Sequence, residues 1–328
     1  MEAEFADLKV LAESALGGPA RVSGPLPGGG SERYLYRFYR RKGSGADMAS
    51  VVGVIGRNAA EGRAFVGFTR HFAAQGLPVP RIYRAGKSRA AYVMEDLGDV
   101  TLAAQLARLR AGPAGRALAL ATLSRVVGWL PRFQVHGGQG LDYSLCCESE
   151  QLDTPVFEAD LERFLWIYIR LHAPKAKPSD LVLVEMDVLL VRLETVERDH
   201  FCYRDFQPRN IMWREGPVVL DYQSGRRGAL QYDLASLLYS PDSGLQERER
   251  MPLIDAYLKS MAECGVKLEK FAFLADFHPF VLVRRLQALG AYAQLGKQPG
   301  REHFRAKIVP ALADLGQLLE SGKLSMGL

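Results

Sequence analysis

Cysteine is scarce and poorly placed for cross-linking. Cys146, Cys147, Cys202 and Cys264 are the only four, and no C-x-x-C pair occurs among them. A vicinal pair and two isolated residues match neither a zinc framework nor a disulfide scaffold, which points to reduced thiols in a cytoplasmic protein. Long apolar runs are also missing: no stretch approaches the roughly 20 residues needed to cross a bilayer. Met1 to Asp7 is acidic and lacks the apolar core of a signal peptide. No block of Lys and Arg interleaved with aromatics is present, and a formal net charge of +5 is too dispersed for a nucleic-acid groove. The expectation is a cytoplasmic protein with neither a membrane nor a nucleic-acid partner.

What is present is an ordinary globular composition, with 48% hydrophobic and 24% charged residues in a chain of 328. The slight positive balance suits an anionic ligand such as a nucleotide. The first hundred residues read as a small β-rich lobe. A glycine loop, Pro25 to Arg33, runs into a strand at Tyr34 to Tyr39, and a third strand follows at Ser50 to Ile55. A helix is expected over Ala59 to Ala74, capped by Asn58, with Glu61 as the return half of a capping box. Phe65, Phe68 and Phe72 give it a buried face. Two strands, Arg81 to Arg84 and Ala90 to Glu95, complete the lobe. Beyond Asp96 the pattern turns helical: Leu102 to Leu109, Ala117 to Phe133, Val156 to Leu171, Leu181 to Val196, then three stretches near Leu245 to Glu263, Phe271 to Ala293 and Phe304 to Leu319. Asp233 can cap a helix over Leu234 to Leu238. The reading is a two-lobed α+β fold, residues 1–96 and 97–328, with a cleft between the lobes.

The densest information lies in Tyr203-Arg204-Asp205-Phe206-Gln207-Pro208-Arg209-Asn210 and the segment after it. Two apolar runs, Ile211 to Trp213 and Val218 to Leu220, flank the turn formers Arg214-Glu215-Gly216-Pro217. If they pair antiparallel, Asn210 and Asp221 converge, because paired residues sit about 5 Å apart. The loop carries Asp205 to the same place. Two carboxylates and an amide oxygen suit a hard cation such as magnesium with a bound phosphate, which is what a phosphotransferase needs.

With these residues in place, the chain resembles the aminoglycoside phosphotransferase family, small-molecule relatives of the protein kinases. The family's His-x-Asp-x4-Asn loop is matched by Tyr203-Arg204-Asp205 and Asn210, and its Ile-Asp pair by Leu220-Asp221. Its Gly-x4-Asp-Leu-Ala segment is matched by Gly228, Asp233, Leu234 and Ala235. Met94-Glu95-Asp96-Leu97-Gly98 resembles the hinge. Gly28, Gly29, Gly30, Ser31 and Arg33 resemble the loop over the phosphates. The Ser-x-Arg-Tyr start of the second strand and the Glu-Asp-Leu-Gly hinge look like the branch of N-acetylmuramate and N-acetylglucosamine kinases in cell-wall recycling, which act on the anomeric hydroxyl. The resemblance implies a kinase-like fold, ATP and Mg2+, Asp205 as catalytic base or hydroxyl-orienting group, and Asn210 and Asp221 as metal ligands. It also implies that Glu95 lies in the nucleotide-binding hinge and that Tyr203 and Asp233 support the catalytic loop.

Two departures stand out. Tyr203 replaces the usual His, and Ser50 to Ile55 holds no lysine to grip the α- and β-phosphates. Arg57, Arg33 and Arg37 are the candidate substitutes. The missing lysine leaves open a nucleotide-binding module without catalysis, in which Glu61 has no lysine partner. Arg204, Arg209, Arg226 and Arg227 favour a neutral or anionic acceptor such as an amino sugar. The acidic set Glu148, Glu150, Asp153, Glu158, Asp160 and Glu162 leaves open a cationic acceptor of aminoglycoside or choline type.

Overall fold

The computed structural model describes residues 2–26, 33–41, 48–87, 90–172, 175, 180–298 and 300–322. It divides into two compact units, one of Met1–Glu150 with Tyr203–Arg226, the other of Gln151–Cys202 with Arg227–Leu328.

The first unit is built on a five-stranded antiparallel sheet. Its chain order is α1 (Glu2–Leu16), β1 (Arg21–Ser23), β2 (Arg33–Arg41), β3 (Met48–Gly56), α2 (Ala59–Ala74), β4 (Ile82–Ala85) and β5 (Ala91–Glu95). In space the strands run β1-β2-β3-β5-β4. β2 and β3 pair along their whole length, from Arg33 opposite Gly56 to Arg41 opposite Met48. The β-branched run Val51, Val52, Val54 and Ile55 explains why β3 is the central strand: such side chains pack well on a pleated surface buried on both faces.

The helix α1 has no counterpart in the sequence reading, which assigned this region no helix. Its apolar stripe is Phe5, Leu8, Leu11, Ala12, Ala15 and Leu16. Within it Leu8 and Ala12 are completely buried against Phe38, Val51, Ile55 and Val93. Gly53 permits the close approach, since a Cβ there would lie 2.8 Å from the Phe38 ring and 3.0 Å from Leu8. α2 matches its expected span. Asn58 caps it by accepting from Ala60 N at 2.9 Å, but the return half of the capping box does not form. The Glu61 carboxylate instead faces the Asn58 amide at 3.5 Å.

The hairpin of Ile211–Trp213 and Pro217–Val219 belongs to this unit and pairs antiparallel as expected, with Ile211 opposite Val219. It is fastened on both flanks. Trp213 N–H donates to Val100 O at 2.8 Å, and Val219 N–H donates to Pro78 O at 2.8 Å.

The second unit is helical. The long helix Lys270–Leu295 is flanked by Thr154–Glu162, Leu230–Leu238 and Ile308–Glu320. The expected helix Val156 to Leu171 is interrupted by a π-helical stretch, Arg163–Ile169. Here the long helix comes so near that a Cβ on Gly290 would sit 3.1 Å from Phe164 N. Asp233 is not the helix cap that its sequence position suggested. The helix begins earlier, at Leu230 after Ala229, and every residue from Leu230 to Leu238 is buried. No helix among the described residues is long and apolar enough to cross a membrane.

Replacing Leu8 by Ala should lower stability by about 2–5 kcal/mol, the usual cost of truncating a buried leucine. Urea denaturation checks this, and an unchanged midpoint would mean that α1 contributes nothing to the sheet's packing.

Candidate active site

The candidate residues Asp205, Asn210 and Asp221 are laid out by backbone geometry. Arg204 and Asp221 both have left-handed backbones, with φ of 76° and 71°. Non-glycine residues seldom take this conformation, and Asp does so more readily than Arg because its short polar side chain can bond locally. These strained positions stand next to Asp205 and at the end of the hairpin, where functional sites commonly store strain.

Asn210 is held from two sides. Its Nδ2 donates to the Asp205 carbonyl at 2.9 Å, and its own carbonyl accepts from Leu220 N–H at 3.0 Å. The second bond extends the hairpin pairing by one residue, so Asp221 follows directly. With Nδ2 committed to a carbonyl, the Oδ1 of Asn210 is its remaining coordinating atom. The Asp205 backbone is fixed further by Gln207 N–H donating to its carbonyl at 2.8 Å, and Gln207 Nε2 lies 3.5 Å from its Oδ1.

Asp221 is the electrostatic centre. Arg33 on β2 donates directly to its Oδ1, which also accepts from Gln223 Nε2 at 3.1 Å. Gln223 Oε1 in turn accepts from Arg33 Nη1 at 3.3 Å. Burial pushes the Asp221 carboxyl up, but Arg33, Gln223 and Arg209 outweigh it and hold the group below the usual carboxylate range. Burial opposes the charge of Arg33, while Asp221, Tyr92 and Glu61 raise its pKa above the ordinary value. The result is a partly buried ion pair with an amide across it. Gln223 was not foreseen in the sequence; its only signal is its place two residues after Asp221.

The three candidate arginines separate cleanly. Arg37 is committed to the hinge: its Nε is 2.8 Å from Asp96 Oδ2 and its Nη2 2.8 Å from Asp99 Oδ1. Asp96 also accepts from Gly98 N–H at 3.0 Å. Arg57 is exposed just ahead of α2. Arg33 is the arginine joined to Asp221. Gly28, Gly29, Gly30 and Ser31 lie outside the described residues. The Glu95 side chain pairs with Arg214 in the hairpin turn at 2.9 Å and accepts from Arg81 N–H at 3.3 Å.

Tyr203 is buried, edge-on to Phe206 and Tyr222 at 5.4 and 5.9 Å. In the second unit Asp233 is fully buried and accepts from Cys202 Sγ at 3.6 Å. Gly228 allows this packing, because a Cβ there would meet Cys202 Cβ at 2.6 Å. Arg226 is structural: it is almost wholly buried and bonds to Glu148 at 2.6 Å and Ser149 at 2.9 Å. Asp160 is likewise buried against Arg163 at 3.0 Å.

The donor set fits a nucleotide-bound divalent cation rather than a self-contained metal centre. Among the described residues no three His, Cys, Asp or Glu side chains converge to hold a metal. One ionised carboxylate and one amide oxygen are what magnesium takes from a protein when phosphate and water supply the other ligands.

The sequence profile of the phosphotransferase enzyme family, APH, matches residues 27–266 of this chain. A curated N-acetylmuramate/N-acetylglucosamine kinase of Neisseria meningitidis serogroup B is 25% identical over 236 residues, covering 70% of this chain and 67% of that protein. One of the same name from Caulobacter vibrioides is 28% identical over 118 residues, covering 34% of this chain and 31% of the relative. The matches thus span from under a third to about two thirds of these relatives' length. Among solved structures, choline kinase from Cryptosporidium parvum superposes with a TM-score of 0.62 at 13% identity, over 93% of this chain and 91% of that one. The fold is therefore the kinase-like α+β fold expected from the sequence.

The lowered pKa of Asp221 gives a signed pH dependence. A depressed carboxyl contributes stability above its unfolded value of about 4 and loses it as pH falls through the lower folded value. The melting temperature of the parent should therefore drop more steeply below about pH 4 than that of Asp221→Asn. Asp96 has a lowered pKa as well but is present in both proteins, so it cancels. Parallel acid limbs would remove the ion pair from the account.

Proposed function

We propose that this chain, which belongs to the APH phosphotransferase family, is an ATP- and magnesium-dependent kinase of an N-acetylated amino sugar, acting on its anomeric hydroxyl. Residues 1–96 serve as the nucleotide-binding lobe, and residues 97–328 hold the catalytic loop and acceptor site. The observation that carries the reading is the cluster at the hairpin base. There an ionised Asp221 lies beside the Asn210–Asp205 clasp, and Arg33 brings a guanidinium to the same point.

Phosphoryl transfer asks a protein for positioning and charge neutralisation more than for covalent chemistry. The Asp205 carboxylate aligns the acceptor hydroxyl for in-line attack on the γ-phosphorus of ATP and takes its proton as the new bond to phosphorus forms and the bond to the β–γ bridging oxygen breaks, releasing ADP. Asn210 Oδ1 and the Asp221 carboxylate would hold magnesium, which when bound offsets negative charge on the phosphate oxygens. Arg33 takes the part of the missing third-strand lysine. Its planar guanidinium can bind two phosphate oxygens at once, and Glu61 on α2 supports its charge. This substitution favours catalysis over a nucleotide-binding module without activity.

The amino-sugar acceptor is supported by the names of the relatives and by the state of the acidic residues. Glu148 and Asp160 are neutralised by Arg226 and Arg163, so the set offers a cationic acceptor less charge than its sequence suggests. ATP consumption with N-acetylmuramate, N-acetylglucosamine, kanamycin and choline is the direct test. Turnover with choline or kanamycin and none with either sugar would move the acceptor to the cationic class.

Asp205→Asn should lower kcat by ~10²–10⁴-fold, the usual worth of a general base, with nucleotide affinity nearly unchanged. Arg33→Ala should raise the Michaelis constant for ATP at least about tenfold, or 1.4 kcal/mol, while Arg57→Ala stays close to the parent. Steady-state kinetics on the three proteins decide both points, and a parent-like Arg33→Ala would reject the arginine clamp.

A further inference from the structure

Tyr222 directly follows Asp221 and is completely buried. Its hydroxyl lies 2.6 Å from Thr69 Oγ1, on a turn of α2 that is itself buried. Thr69 Oγ1 is also 2.6 Å from the Phe65 carbonyl. A threonine hydroxyl has one proton to give, and a carbonyl can only accept. The Thr69 proton therefore goes to Phe65 O, and the Tyr222 phenol must be the donor to Thr69. The hydrogen-bond chain has one direction only, from Tyr222 through Thr69 into the helix backbone.

The aromatic ring is fixed as firmly as the hydroxyl. It stacks on Phe65 with centroids 5.0 Å apart and planes 12° from parallel, and meets Phe72 edge-on at 5.2 Å. Both phenylalanines belong to α2. On its far side Phe65 stacks on Tyr92 of β5 at 5.2 Å. Asp221 is thus attached to α2 through the next residue in the chain, while Leu220 before it is tied to Asn210. A left-handed residue between two anchors has little freedom to turn its carboxylate elsewhere. α2 also carries Glu61, whose charge acts on Arg33.

We infer that Thr69 and Tyr222 are a positioning pair, which sets the direction of the Asp221 carboxylate from α2 and so tunes the metal site. The inference rests on reading Asp221 as a metal ligand. A hydroxyl pair that only filled the core would alter stability and leave metal binding alone.

The test measures Mn2+ binding to the full chain with a non-hydrolysable ATP analogue, by electron paramagnetic resonance, beside the melting temperature. The variants are Tyr222→Phe, Thr69→Val, their combination, and Thr69→Ser. Tyr222→Phe and Thr69→Val should each weaken Mn2+ affinity about fivefold, the net worth of one hydrogen bond. The double variant should lose no more than either single one, because both remove the same bond. Thr69→Ser keeps the hydroxyl and should return the parent affinity. In turnover, the metal concentration for half-maximal rate should rise in step. Variants that melt earlier but bind Mn2+ like the parent overturn the inference and leave the metal reading intact. A parent that binds no Mn2+ with nucleotide overturns both.

Discussion

The carboxylate of Asp221 and the guanidinium of Arg33 meet across a sequence separation of 188 residues, and the arrangement of the first unit can be traced from that pair. Both groups are partly out of water, with side chains 30% and 16% exposed. At such a site the desolvation of either charge alone would be costly, so each needs the other or an equivalent counter-charge. Arg33 opens β2, opposite Gly56 at the end of β3, so the sheet register determines where its guanidinium starts. Asp221 closes the hairpin, so the register of Ile211 against Val219 determines where its carboxylate starts. Gln223 bridges the two, donating to the same Oδ1 of Asp221 that Arg33 reaches and accepting from Arg33 Nη1.

The hairpin gains its rigidity from its surroundings. Two strands of three residues are too short to persist alone in water. Bonds to Val100 and Pro78 join it to the chain on either side of β5, and Arg214 in its turn reaches Glu95. The segment around Glu95 and the hairpin are therefore one connected body. Arg37 adds to this by holding Asp96 and Asp99, which keeps its guanidinium away from Asp221. The segment Asp142 to Glu150 plays a similar part beyond Asp221. Cys146 and Cys147 donate to the carbonyls of Gly225 and Gln223, and Glu148 and Ser149 hold Arg226. Leu145 of this segment packs against Gly67 on α2, where a Cβ would come within 2.4 Å.

The family and most of the local elements were legible before any tertiary contact was known. Asp205, Asn210 and Asp221 were legible because their spacing around one short hairpin depends on strand pairing alone. α2 was legible because its three phenylalanines recur at helical spacing beside a capping asparagine. Helix α1 was missed although Phe5, Leu8, Leu11, Ala12, Ala15 and Leu16 recur at helical spacing; only packing on the sheet shows which of them, Leu8 and Ala12, are fully buried. Asp233 was misjudged as a cap because burial of all nine residues of its helix, rather than a polar N-terminus, decides where that helix starts. Tertiary structure alone paired Arg33, rather than Arg37 or Arg57, with Asp221, added Gln223, and turned Arg226 from a candidate acceptor contact into a buried support. The physical reason is common to all of these. Periodicity and turn chemistry act over a few residues and are written in the local sequence. Which charges share a desolvated site depends on contacts between segments far apart in the chain, and these exist only once the sheet, α2 and the hairpin have packed together.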